Sequence, residues 1–211
     1  MPLDSQPAHQ AAPGTAGPPA RVRRLGRAER REQILAAATQ AFARAGFAAT
    51  SLDDIATEAG ISRVILYRHF DSKSDLYRAA LDRTCARLVA TVGERDFTAA
   101  SVDALVRTAA ADPAGFRLLF QHAAREPEFR ADADRFRAGM VAVSRRELAR
   151  TIPDHAWARW AAQLAPTVAI EGIIAWLDAG QPDPDRAPER IRQALDGVLR
   201  AAEQRKRRGP A

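Results

Sequence analysis

The run RVILYRHF, residues 63–70, sets two arginines, a tyrosine and a histidine among apolar side chains. At about 100° per residue, Leu66 and Phe70 fall together on one side of a helix. Val64 and Arg68 fall opposite, with Ile65 beside them, and Tyr67 and His69 lie on the flanks between. Such an outer face suits a helix lying in the major groove of a duplex, with phosphate donors at its edges and base-reading groups in its middle. Arginine pairs bidentately with guanine O6 and N7, for about 1–3 kcal/mol of discrimination. Valine and isoleucine make only apolar contact, most usefully with a thymine methyl. On these spacings alone an ordinary helical hairpin also fits.

The stretch from Thr50 to Lys73, TSLDDIATEAGISRVILYRHFDSK, must position that face. Ser51 is a suitable N-cap, and Asp54 three residues on makes a box-like start. Leu52, Ile55, Ala56 and Ala59 share one side of the first helix, about 52–59. Gly60 supplies the permissive backbone of a sharp turn, Ile61 plugs the turn, and Ser62 caps a second helix over about 63–70. A helix–turn–helix delivers its second helix to the groove in this way.

The segments RREQILAAATQAFARAGF, ATSLDDIATEAGIS and LYRHFDSKSDLYRAAL carry a resemblance. From Ile34 to Leu81, roughly a quarter of the chain, the sequence resembles the DNA-binding domain of the TetR family of bacterial transcriptional regulators. The shared pattern is a first helix ending in Gly-Phe, a Thr-Ser pair, Asp-Ile-Ala-x-x-Ala-Gly-Ile-Ser, Leu-Tyr-x-His-Phe, then Lys with Leu following. One departure, Val64-Ile65, stands where the family has a small residue or Pro and then Thr or Ala. It bears on the base contacts and leaves the fold alone. The resemblance implies phosphate contacts from Thr50 or Ser51, Tyr67, His69 and Lys73. It implies that Arg63, Val64, Ile65 and Arg68 meet bases or nearby phosphates. It also implies a ligand-responsive repressor that binds a palindromic operator in double-stranded DNA as a homodimer.

The expected fold is all-α: a three-helix helix–turn–helix domain over 27–73, then a helical regulatory and dimerisation domain over 74–205. Residues 1–26, rich in Pro, Ala and Gly and ending in Arg21, Arg23 and Arg24, read as a disordered basic arm, and 206–211 as a disordered tail. Those arginines, with Arg27, read either as a solvated segment or as an arm for the minor groove. The 211 residues carry a formal net charge of +6, with 46% apolar residues and a sequence pI of about 10.5. That is enough to build a core, and it agrees with a polyanionic partner. Lys73 and Lys206 are the only lysines.

Breaks at Gly46, Gly93, Pro113, Pro127, Pro153 and Gly180 divide the rest into helices: about 28–45, 72–92, 97–111, one opening at Pro113, one ending near 152, 154–179 and 189–203. The run TVAIEGIIAWL, 167–177, is apolar nearly all round. It is expected to be buried on more than one side, either against a second subunit or wholly within one. The resemblance implies dimerisation through the last two long helices and a small-molecule pocket in the C-terminal helices. Phe116, Phe120, His122, Phe136, Met140, Trp157 and Trp160 are candidates to line it, with plain core packing as the alternative for each. Glu171, a carboxylate within the apolar run, fits ligand recognition, an interface ion pair or a side chain reaching water.

No phosphate-binding glycine loop and no His-Glu-x-x-His occurs, and His9, His69, His122 and His155 are scattered. The chain is therefore expected not to be an enzyme and to need no metal or cofactor. Cys85 is the one cysteine, which excludes an internal disulfide and fits a reducing cytoplasm. No apolar run approaches the ~20 residues of a membrane span. A helical interaction module with a drifted hairpin is the alternative to a DNA binder.

Overall fold

A computed structural model describes residues 26–92 and 98–204. The expected N-terminal arm up to residue 25, the tail from 205, and Gly93 and Phe97 lie outside the described residues. Among the described residues there are nine α-helices and no strand. They are α1 Arg27–Ala49, α2 Leu52–Glu58, α3 Arg63–Tyr67, α4 Lys73–Val92, α5 Ala99–Ala111, α6 Pro113–Arg117, α7 Arg130–Thr151, α8 His155–Asp178 and α9 Ala187–Glu203.

The helix ends follow local chemistry. In α1 the backbone leaves helical geometry at Gly46, where φ is 77°, a conformation that glycine adopts without steric cost. Phe47 then turns back onto the core. Ser51 caps α2: its hydroxyl accepts from the Asp54 N–H at 3.1 Å, while the Ser51 N–H donates to the Asp54 carboxylate at 2.9 Å. The Ser51 hydroxyl, which also donates to that carboxylate at 2.6 Å, and then the Ser51 N–H hold the Asp54 carboxyl below its ordinary pKa. Gly60, at φ 64°, makes the turn, and the Ile61 N–H donates to the Ala56 carbonyl. The Ser62 hydroxyl accepts from the Ile65 N–H and starts α3. This helix stops at Tyr67, three residues short of expectation, because the chain turns through Arg68 and His69 to seat Phe70 in the core.

Phe42 of α1, Phe47, Tyr77 of α4 and Phe129 before α7 form one aromatic cluster. Tyr77 lies 4.8 Å from Phe42 and 4.3 Å from Phe129 between ring centroids. Phe42, Tyr77 and Phe129 are fully buried, and each contributes about 1.5–3 kcal/mol by burial. The cluster ties the N-terminal helices directly to α7, so α4 shares its core with both parts of the chain.

After Pro113, α6 gives way to one π-helical turn, Leu118–His122, and a 3-10 turn, Ala123–Arg125. Arg137 donates to the Phe120 carbonyl at 3.1 Å and so satisfies a group in the irregular turn. Asp154 caps α8, its carboxylate accepting from the Ala156 and Trp157 N–H groups. Ala158, Ala161, Ala162, Ala165 and Ala169 are buried on one side of α8; their small side chains let α7 and α9 come close. An ion pair between Arg192 and Asp103 joins α9 to α5. By length and composition α8 could cross a membrane, but 56% of its apolar window is buried inside this fold, as in the core helix of a soluble bundle.

Candidate nucleic-acid interface and helical cavity

The outer face of α3 projects from the three-helix unit. Leu66 and Phe70 are buried beneath it, Ile65 is half-buried, and Val64, Tyr67 and Arg68 are exposed. Val64 is 64% exposed, the highest value among the large apolar side chains of the described residues. Arg63 is not free: its guanidinium reaches Asp53 at 3.0 Å, donates to the Tyr67 hydroxyl at 3.2 Å and lies over the Tyr67 ring. Arg68 has no ion-pair or hydrogen-bond partner among the described residues and remains available to phosphate.

His69 is half-buried, and its pKa is lowered, first by burial and then by Arg27, Arg31 and Arg30 at the start of α1. It therefore stays neutral near pH 7 in the free protein. Arg30 and Arg31 were not among the sequence candidates. Arg31 also stacks on Phe70, its guanidinium carbon 4.8 Å from the ring centroid. Only tertiary proximity discloses this basic rim, because 39 residues of chain separate Arg30 from His69.

Two expected phosphate contacts have other partners. Thr50 is 3% exposed, and its hydroxyl donates to the Gly46 carbonyl at 2.7 Å and weakly to that of Ala41. It fastens the end of α1. Lys73 turns its ammonium to the same end, 2.8 Å from the Phe47 carbonyl oxygen and 3.1 Å from that of Thr50, over the Phe47 ring. Both side chains are spent on capping carbonyls that helix geometry leaves unpaired. Ser51 is exposed but engaged with Asp54.

A cavity of about 460 Å³ opens between α4, α5 and α7, with Ala169 of α8 at one side. Of the expected lining residues only Phe136 and Met140 reach it. The remaining wall is Leu81, Cys85, Leu88, Val89 and Val92 of α4, Val102 and Leu105 of α5, and Gly139 and Val143 of α7. Polar groups enter as Asp82, Ser101, Asp132 and Arg135, with Asp132 paired to Arg135 at 3.2 Å. Burial, then Asp82 and Asp132, push the Cys85 thiol up to about 11, so it is uncharged at neutral pH.

The other candidates lie elsewhere. Phe116 and Phe120 are buried core, 4.7 Å apart. His122 sits half-buried in the π turn, with its pKa lowered chiefly by burial. Trp157 and Trp160, 46% and 39% exposed, pack edge to face on the surface of α8. Glu171 is on the outer side of α8, its side chain 60% exposed, with Arg137 3.9 Å away. Its place in an apolar run is thus no burial of charge. The α4 wall went unread because its residues fit a helix packed on one side; only the separation of α5 and α7 from α4 turns that stripe into a cavity.

The hairpin, its capping and its outward α3 define a helix–turn–helix of the DNA-binding class. Residues 34–80 match the family described as bacterial regulatory proteins, tetR family. It is 39% identical over 115 residues to the HTH-type transcriptional activator FasR of Mycolicibacterium smegmatis, covering 51% of this chain and 52% of that protein. It is 48% identical over 54 residues to the HTH-type transcriptional regulator TtgR of Pseudomonas putida, 26% of each chain. The chain thus spans about half the length, or less, of these curated relatives. A TetR-like transcriptional regulator from Rhodococcus sp. RHA1 shares the fold with a TM-score of 0.73 at 22% identity, over 84% of this chain and 99% of that one. The two curated relatives are named as transcriptional regulators.

Proposed function

We propose that this chain is a cytoplasmic DNA-binding transcriptional regulator that grips a roughly palindromic operator as a homodimer, with the 27–73 unit on DNA and 74–205 as the regulatory part. The observation that carries the reading is the outer face of α3: Val64 exposed on a short, well-capped helix and Arg68 exposed at its C-terminal end, inside the segment that matches the tetR family. The basic rim of Arg27, Arg30 and Arg31 supports it, since such groups draw phosphate without reading sequence. Two recognition helices about 34–36 Å apart would enter successive major grooves on one side of the duplex.

The second copy is expected on the outer side of α8 and α9. Along α8 that side runs through Trp160, Leu164, Thr167, Glu171 and Ala175, exposed or half-buried in the single chain. The exposed tryptophans at its start suit an interface, where large amphipathic rings are enriched. A mostly apolar effector fits the 460 Å³ cavity, within the usual range for small-molecule sites. It must bind the DNA-incompetent arrangement more tightly than the competent one, or nothing shifts. Repression is the reading preferred here. Because one relative is named an activator, the position of the operator relative to the promoter decides the sign.

Gel-shift assays with the intergenic DNA flanking the gene test the proposal. Retarded, salt-sensitive and competitor-resistant complexes are expected. Binding that any DNA of equal length competes away equally would leave a helical module without operator specificity.

A further inference from the structure

We propose that the base reading by this helix rests on Val64, through contact with a thymine 5-methyl group in each half-site, and not on an arginine–guanine pair. The proposal rests on the DNA-binding reading above and concerns how that same face chooses its sequence. Val64 is the second residue of α3, and the first residues of a recognition helix are the ones that meet base edges. It is also the most exposed large apolar side chain among the described residues.

The polar groups that could compete with it are already engaged. Ser62 uses its hydroxyl to cap the Ile65 N–H. Arg63 is held from two directions, by the Asp53 carboxylate at 3.0 Å and the Tyr67 hydroxyl at 3.2 Å. Aiming its fork at guanine O6 and N7 would break both contacts and leave Asp53 facing the DNA unpaired. Tyr67 accepts from Arg63, so its hydroxyl is directed along the helix. Ile65 is half-buried against the core and lends little surface. Arg68 is free, but it follows the last helical residue, a turn away from Val64, and is better placed for phosphate. What remains in the middle of the face is a branched hydrocarbon. In the major groove its complement is the thymine methyl.

In vitro selection from random duplex DNA by the full-length protein identifies the bound sequence. Each selected thymine is then replaced by deoxyuridine, which removes the methyl group and keeps every hydrogen-bonding atom. One thymine per half-site should be methyl-sensitive, with wild-type affinity falling about fourfold per half-site and about fifteenfold for both, the worth of one buried methyl-sized group each. Val64→Ala should bind the thymine operator more weakly and lose the thymine–uracil difference at that position. Val64 is exposed, so the variant should keep the wild-type melting temperature. Arg63→Ala should retain the thymine–uracil difference. A selected sequence indifferent to uracil, or a Val64→Ala protein with the wild-type thymine–uracil ratio, overturns the proposal while leaving DNA binding intact. Failure to enrich any sequence overturns the DNA-binding reading and this proposal with it.

Discussion

The ammonium of Lys73 lies 2.8 Å from the carbonyl oxygen of Phe47 and 4.4 Å from the centroid of the Phe47 ring. One residue thus closes the C-terminal end of α1 electrostatically while opening α4. The contact fixes the angle between the two helices that flank the DNA-reading hairpin. Lys73→Ala should therefore cost about 1.5–3 kcal/mol of stability, the usual worth of bonds to a charged group, visible as a lower melting temperature. Its salt dependence of DNA binding should match wild type, because no phosphate contact is removed. A slope shallower by about one would mean that the ammonium leaves α1 for the DNA.

Stability should fall as the solution is acidified from pH 7.5 to 5.5. Burial lowers the pKa of both His69 and His122 below 6.5 in the folded state. The unfolded chain therefore binds more protons in that window, and stability rises with pH. The contribution is complete above the unfolded value of about 6.5 and is lost as pH drops through the folded values. Asp54, whose pKa is also lowered, acts only below about 4 and stays outside this window. Thermal melts of wild type and of His69→Gln and His122→Gln check this: each substitution should flatten the pH dependence, and an unchanged profile in both would count against it. Because a phosphate near His69 favours its charged form, operator binding should also take up protons, and affinity should rise as pH falls from 7.5 to 6.

Met140→Trp, with its indole turned into the cavity between α4, α5 and α7, should give a folded protein that binds operator with wild-type affinity and no longer responds to an effector. For wild type, a coupling of about 1–3 kcal/mol, or a five- to 150-fold loss of operator affinity at saturation, is the ordinary size. A ligand-soaked structure would identify the occupant. An effector that still releases Met140→Trp from DNA would place the ligand elsewhere.

Ala175→Arg sets a charge toward the C-terminal end of the outer side of α8, where Thr167 and Glu171 are also exposed. It should convert a dimer into a monomer at micromolar concentration without unfolding it, as read by light scattering after gel filtration. A wild-type monomer under the same conditions would remove the proposed subunit arrangement.

Local signals in the chain were legible because they act over a few residues. Ser51 with Asp54, Gly46 before Phe47, Gly60 in the turn and Asp154 before α8 each state a helix end in their own chemistry. The burial of Leu66 on α3 and of Phe70 just beyond its end also agrees with the sequence reading. What could not be read was where long side chains go. Lys73 reaches a carbonyl 26 residues back, and Arg30 and Arg31 meet His69 only once α1 crosses the hairpin. Trp157 and Trp160 fit a pocket lining or a packed core by residue type, yet the Asp154 cap starts α8 with both rings facing outward. Phe116 and Phe120 have the pattern of a lining and the packing of a core.

Arg68 separates a DNA-reading face from a merely solvated one, since it is exposed at the C-terminal end of α3 and has no internal partner among the described residues. The measurement is operator affinity for wild type and Arg68→Ala across a salt series, by fluorescence anisotropy on the selected duplex. Wild type should bind specifically, and Arg68→Ala should bind at least several-fold more weakly, with the slope of log affinity against log salt shallower by about one. Equal affinity and equal slope for the two proteins would contradict the assignment of this face to DNA.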